Sequence, residues 1–280
     1  MDATAKRETE RVLPTEPRAQ GDIIRIDHTS TEGGPVLGVI INADCDLVNG
    51  KLDGVLAYLP MYPFKEYVAR FWAPGYIAEV LASATNKVID IIGDDGAAAE
   101  NLHSWIVTDG PAAVSEALTA STRLKKGQAT SIYQEVRKLA VALDNRVAPF
   151  SRFLSLCRTE QDASAYARRQ LAAARKAMGD GHFQISDLVE HPGIGFVIRM
   201  RRIYTIPEGN CFPSVSEQLA RSGAAETTAV RIGRLTEIYR FKVAQLFAQQ
   251  FSRIGLPDEV TALASLAIDD IVAEVEKDSE

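Results

Sequence analysis

Cysteine is scarce in this chain: 280 residues include only Cys45, Cys157 and Cys211. An odd number without close spacing excludes a disulfide framework and a CxxC metal knuckle, and it predicts a reducing, cytoplasmic compartment. Long apolar runs are missing too. No uncharged apolar stretch reaches the roughly 18 residues of a membrane span, so no membrane partner is expected. Residues 1–20 mix Lys6, Arg7 and Arg11 with Glu8, Glu10 and Glu16 around Pro14 and Pro17, which reads as a mobile polar arm and not a signal peptide. Gly93-Asp94-Asp95-Gly96 lacks the Gly-Lys-Ser/Thr of a Walker loop and the spacing of a dinucleotide fingerprint. It reads as a helix break, and no cofactor follows from the residues.

What is present is an ordinary globular composition, 46% hydrophobic and 24% charged, with an uneven distribution of charge. Residues 22–116 hold 5 basic and 14 acidic residues, whereas residues 121–253 hold 21 basic and 11 acidic ones. Residues 258–280 then carry eight acids and one lysine. A basic half either packs on the acidic half and solvates its own helices or offers a surface to a polyanion.

Short β-branched runs open the chain. Ile23 to Ile26 and Val36 to Ile41 read as strands separated by a loop with Gly33-Gly34, and a polar connection from Asp44 to Gly54 leads to a third strand, Val55 to Leu59, ended by Pro60 and Pro63. Residues 64–181 read as helical, with helices at 97–107, after Pro111 to 119, 130–146 and 161–178, and with Pro149 interrupting. Strand character returns at 183–188, in one long run from Gly195 to Ile206, and at 230–235. An amphipathic helix is predicted from Glu237 to Ile254, and a last one from Glu259 to Val275.

These elements predict an α+β protein: an arm (1–20), N-terminal strands (21–63), a helical insertion (64–181), returning strands (182–236) and C-terminal helices (237–280). Three N-terminal strands alone would leave open edges, which favours one small sheet or barrel built from both ends of the chain.

Gly21-Asp22-Ile23-Ile24, a loop, a hydrophobic strand, a polar turn and Val55-Leu56-Ala57-Tyr58-Leu59-Pro60 together resemble the first strands of the SH3-like barrels of PemK-type growth-inhibitor endoribonucleases. The resemblance covers residues 21–60 and implies an SH3-like barrel. Those toxins have an arginine leading into the second strand, where Gly34-Pro35 stands here, so ribonuclease activity does not carry over.

A second resemblance joins the two ends of the chain. Cys45-Asp46-Leu47, Tyr239-Arg240, Phe247-Ala248 and Arg253-Ile254-Gly255-Leu256-Pro257 are similar to a group of bacterial proteins with a Gln-Ser-Cys-Asp-Leu-like motif and an Arg-Val-Gly-Leu-Pro-like terminus. Ala43-Asp44 stands here in place of the Gln-Ser pair. The resemblance implies a recognition or regulatory component of a bacterial antiphage-defence or signalling gene set, with a protein partner encoded nearby.

Cys45 lies between Asp44 and Asp46. Strand alternation would bury the thiol and leave the acids at a polar rim. Two catalytic alternatives stand beside that structural reading. One is a divalent-metal phosphodiesterase with Asp44 and Asp46 as ligands, joined by His28 or neighbouring acids. The other is a cysteine hydrolase using Cys45, Asp46 and His28. For binding, Arg199, Arg201 and Arg202, with Arg199 and Arg201 on one strand face, and Arg168 and Arg169 on a basic helix, are the candidate nucleic-acid contacts. Binding is the reading favoured over either chemistry.

Overall fold

The computed structural model describes residues 7–29, 34–93, 98–121, 123–125, 127–189 and 191–251. The chain forms β1 (Thr9–Glu10), β2 (Asp22–His28), β3 (Leu37–Ile40), α1 (Asp44–Asn49) and β4 (Val55–Pro63). It then passes through α2 (Phe64–Tyr67), a π-helical turn (Val68–Trp72), α3 (Ala73–Ile92), α4 (Ala98–Ser121), α5 (Gln128–Leu143), α6 (Pro149–Cys157) and α7 (Ala163–Lys176). It returns as β5 (His182–Asp187), β6 (Ile194–Arg199), β7 (Tyr204–Pro207), β8 (Cys211–Phe212), α8 (Val215–Arg221), β9 (Thr227–Leu235) and α9 (Glu237–Phe251).

The strands make one mixed α/β core: a nearly closed, barrel-like sheet in the order β1-β9-β2-β3-β4-β6-β5, with β7 also paired to β4. All these pairs are antiparallel except the short parallel pairing of β8 with β9. β9, from the end of the chain, lies between β1 and β2, so the sheet is assembled from both ends around the helical insertion. Among the described residues no helix is long and apolar enough to cross a membrane.

Both faces of the sheet are covered, which is why its strands read as unbroken apolar runs. On one face Ile23, Val39, Leu59, Met61, Phe196 and Ile198 pack beneath Tyr239, Val243 and Phe247 of α9. On the other, Ile24, Ile40, Leu56, Tyr58, Ile206 and Cys211 form a second cluster, and Tyr62, Val197 and Met178 continue it toward α2. The insertion has apolar centres of its own, one around Val88, Ile106, Ile132 and Leu139, another around Tyr76, Phe153 and Leu156.

Several expectations are corrected. Pro60 does not end the third strand; β4 runs through it to Pro63. Pro149 begins α6, where a missing N–H costs nothing at the first helical position. The polar connection after β3 contains α1. The two helices expected around Pro111 are found within 98–121, separated at Gly110, whose φ is 84°. The single run 195–206 is two strands, β6 and β7. The expected helix over 259–275 lies outside the described residues.

Nor is the described part of the N-terminal arm, 7–20, loose. Asp22, fully buried, accepts from Arg231 (3.2 Å) and Arg234 (2.6 Å). Arg231 also donates to the carbonyl oxygens of Leu13, Glu16 and Pro17 at 2.9–3.0 Å. An arm with few apolar residues is thus held by backbone carbonyls gathered around one buried guanidinium. Only a planar, five-donor head satisfies so many acceptors at once.

Candidate functional site

The Asp44-Cys45-Asp46 stretch is helical. Asp44–Asn49 forms a helix of under two turns, closed by Gly50 at φ 65°, with both acids in its first turn, where carboxylates suit the helix N-terminus. Cys45 is therefore exposed rather than buried, which overturns its expected place in the core. Its thiol donates to Asp46 Oδ1 at 3.5 Å rather than facing a histidine. Asp44 Oδ1 accepts from the backbone N–H of Gln20 at 2.7 Å, and Oδ2 lies 3.4 Å from Arg240 Nη1 of α9. Asp44 thus ties the arm and the C-terminal helix together.

His28 is not brought to them. It pairs with Thr227 at the far end of β2, while Asp22, next to Gln20 and Asp44, pairs with Arg234 at the near end. Six residues of strand put about 20 Å between the two ends. The imidazole donates Nε2–H to the carbonyl of Pro35 and accepts at Nδ1 from the Thr227 hydroxyl, both at 3.2 Å. Among the described residues no group of three or more His, Cys, Asp or Glu side chains is placed to hold a metal ion.

The arginines of the returning strands meet a different arrangement. β4 pairs with β6 as far as Met61↔Ile198 and resumes with β7 at Tyr58↔Tyr204. Between those pairs β4 spends two residues, Leu59 and Pro60, and the opposing chain spends five, Arg199 to Ile203. Pro60 supplies the reason. The N–H and C=O of Ala57 both point toward the β3 side, to Asn42 Oδ1 and Ile41 N. By strand alternation the backbone of Pro60 faces the β6–β7 edge, where its missing N–H leaves a gap in the ladder. The opposing chain arches away there as an enlarged bulge.

The arch is anchored. Met200 is fully buried in the core beneath α9, and its N–H donates to Gly181 O at 2.9 Å. Arg199 and Arg201 accordingly do not share a strand face. Arg199 turns onto Phe71 of the π-helical turn, its Cζ 4.0 Å from the ring centroid, and Arg201 donates to Gln250 Oε1 at the end of α9. Arg202 is exposed. None of the three forms a salt bridge with a carboxylate among the described residues. Arg168 and Arg169 lie on the exposed side of α7, with Arg169 over Tyr166 at 5.0 Å. No hydrogen bond or ion pair joins them to the arch among the described residues.

Around the arch runs a strip of aromatic rings. Tyr204 stacks on Tyr58 with centroids 5.8 Å apart, and Tyr62 meets Phe71 edge-on at 5.1 Å. Gly38, opposite Pro60 on β3, makes room for this strip, since a Cβ there would lie 2.5 Å from the Tyr58 ring. Burial, reinforced by the neighbouring tyrosines, pushes the Tyr58 phenol up to about 12. Burial also raises the Tyr62 phenol, against the opposing charges of Arg199 and Arg70. Arg70 lies 5.7 Å over the Tyr62 ring and is paired with Glu66 at 3.0 Å.

His182 closes the far side. Its Nδ1–H donates to Met178 O at 2.5 Å, and Nε2 accepts from the Tyr67 hydroxyl at 3.3 Å. Burial holds its pKa below the usual imidazole range; the bond to Met178 opposes this, and the charges of Arg199 and Arg201 add to it. Sequence reasoning names the three arginines but misses Phe71, Tyr204, Tyr62 and His182. The available signal was Pro60 inside a β-rich run facing a second run too long to match it.

The geometry defines a class: a nearly closed barrel-like sheet with a helical insertion and a basic, aromatic-rimmed arch where the pairing of β4 passes from β6 to β7. Compared with known protein families, characterised proteins and solved structures, the chain finds no match.

Proposed function

We propose that the protein is a recognition component that holds the phosphate backbone of a nucleic acid against the arginine arch. The observation that carries this reading is that Arg199, Arg201 and Arg202 cluster where the pairing with β4 is interrupted, Arg199 at the end of β6 and the other two on the anchored bulge that follows, with no carboxylate bound to any of them among the described residues. Arginine whose charge is not matched by an internal carboxylate is a ready donor to phosphate oxygens. Enrichment of the second half of the chain in basic residues supports the same reading. An SH3-like barrel topology, and a place in a cytoplasmic bacterial defence or signalling set, are further proposals supported by the two sequence resemblances.

Fluorescence anisotropy with a labelled oligonucleotide and with labelled heparin tests it. Both ligands are expected to bind, with affinity falling steeply as salt rises. Arg199→Ala combined with Arg202→Ala should weaken both. Arg201 is left in place because it also braces α9. Absence of salt-dependent binding to either ligand overturns the reading.

A further inference from the structure

We infer that the arch selects single-stranded nucleic acid, by stacking unpaired bases on Tyr204 and on the Arg199–Phe71 pair; this rests on the recognition reading above. Phosphate contacts alone do not distinguish a single strand from a duplex, so the argument comes from the rings. Tyr204, on β7, is 39% exposed and Phe71, on the π-helical turn, is 38% exposed, so each offers ring surface to solvent beside the arginines. Neither is loose. Tyr204 has one side against Tyr58, with ring planes 20° apart, and its position is fixed by the β4–β7 pairing. Phe71 is held edge-on by Tyr62 and tilted against Tyr67 at 5.5 Å. Both rings are oriented before any ligand arrives, which lowers the ordering cost of binding.

Arg199 adds a second kind of platform. Its guanidinium lies over Phe71, so on that side a base would meet the cation backed by the ring, and the cation brings charge to where a strand would pass. Tyr204 sits opposite Tyr58, and Phe71 touches Tyr62, four residues further along β4. The backbone positions that carry the two platforms, Tyr58 and Tyr62, are therefore about 13 Å apart along the strand direction. Arg202 and Ile203 bridge the interval, both exposed. Alternation of cation and ring along a groove is the arrangement by which sequence-tolerant single-strand binders work, since every base has a π face. A duplex hides those faces in its own stack. A five-residue arch is also neither the helix nor the two-stranded ribbon that enters a major groove.

The test uses the full-length chain and three probes: an oligoadenylate of about 16 nucleotides, at the upper end of single-strand site sizes, a duplex of equal length, and heparin, which carries charge without bases. Tyr204→Thr combined with Phe71→Leu should lower affinity for the single strand about tenfold or more. Heparin binding should stay within about twofold. Tyr204→Phe, with Phe71 intact, should restore the single-strand affinity. In the unaltered protein, 2-aminopurine placed within the oligonucleotide should be quenched on binding, a signature that does not depend on any variant folding. Equal affinity for duplex and single strand, equal losses toward heparin and oligonucleotide, or unquenched 2-aminopurine overturns the inference while leaving phosphate recognition standing. No binding of any probe overturns both.

Discussion

Two groups of arginines on the same sheet do opposite things. Arg231 and Arg234 of β9 converge on Asp22, and Arg231 is further enclosed by the carbonyls of the N-terminal arm. Arg199, Arg201 and Arg202, on the arch beside β4, meet rings, an amide and solvent, with no carboxylate bound among the described residues. The difference teaches that arginine content does not locate a binding surface. What matters is whether the fold has already supplied the anion. Around Asp22 it has, and the cluster holds the structure together. On the arch it has not, and the cations are left for a ligand.

The comparison is broken most severely at Asp22. Asp22→Ala leaves Arg231 buried without its counter-charge and frees the arm, and the expected loss is about 3–5 kcal/mol in urea unfolding. If Arg199→Ala with Arg202→Ala cost as much stability, the two groups would not differ in kind. That double variant is instead expected to fold normally and lose at least about tenfold in single-strand affinity, about 1.4 kcal/mol. Its salt slope should fall in magnitude by roughly 1.4, at about 0.7 per phosphate contact.

His182 sharpens the arch side. The folded state holds its pKa below the ordinary value of about 6.5, so the unfolded chain binds the proton at a pH where the folded protein does not. Stability should therefore decline as pH falls below about 6.5 toward the folded value. His182→Gln should flatten that decline, read from urea midpoints at neutral and mildly acidic pH. The smallest effect belongs to α1. Asp44→Ala removes a half-exposed ion pair with Arg240 and a bond to the Gln20 N–H, with an expected cost near 1 kcal/mol. Alongside it, Cys45 should be the fast-reacting thiol in a titration with a disulfide reagent, while Cys157 and Cys211 wait for unfolding. For Cys157 and Cys211 burial raises the thiol pKa as well, and Cys211 reaches about 11.

Much of the sheet was legible because its signals are local. Ile23 to Ile26, Val36 to Ile41 and Val230 to Leu235 are β-branched runs bounded by turn formers, and each became a strand. The edge problem of three isolated strands pointed correctly to strands returning from the far end of the chain. The Cys45 stretch misled because Asp-x-Asp after a strand resembles a strand continuing. A polar helix of six residues has too few turns to show a period. Arg199 and Arg201 were assigned one face by an alternation that holds only while the ladder holds.

By itself the sequence determined the elements whose cause lies within a few residues: the apolar strands and the break between helices at Gly110-Pro111. Only the tertiary structure decided which arginines are spoken for. Asp22 and Arg231 stand 209 positions apart. No local pattern distinguishes Arg231 from Arg202, because a charge is satisfied by what folding places within about 3 Å of it and not by its neighbours in the chain.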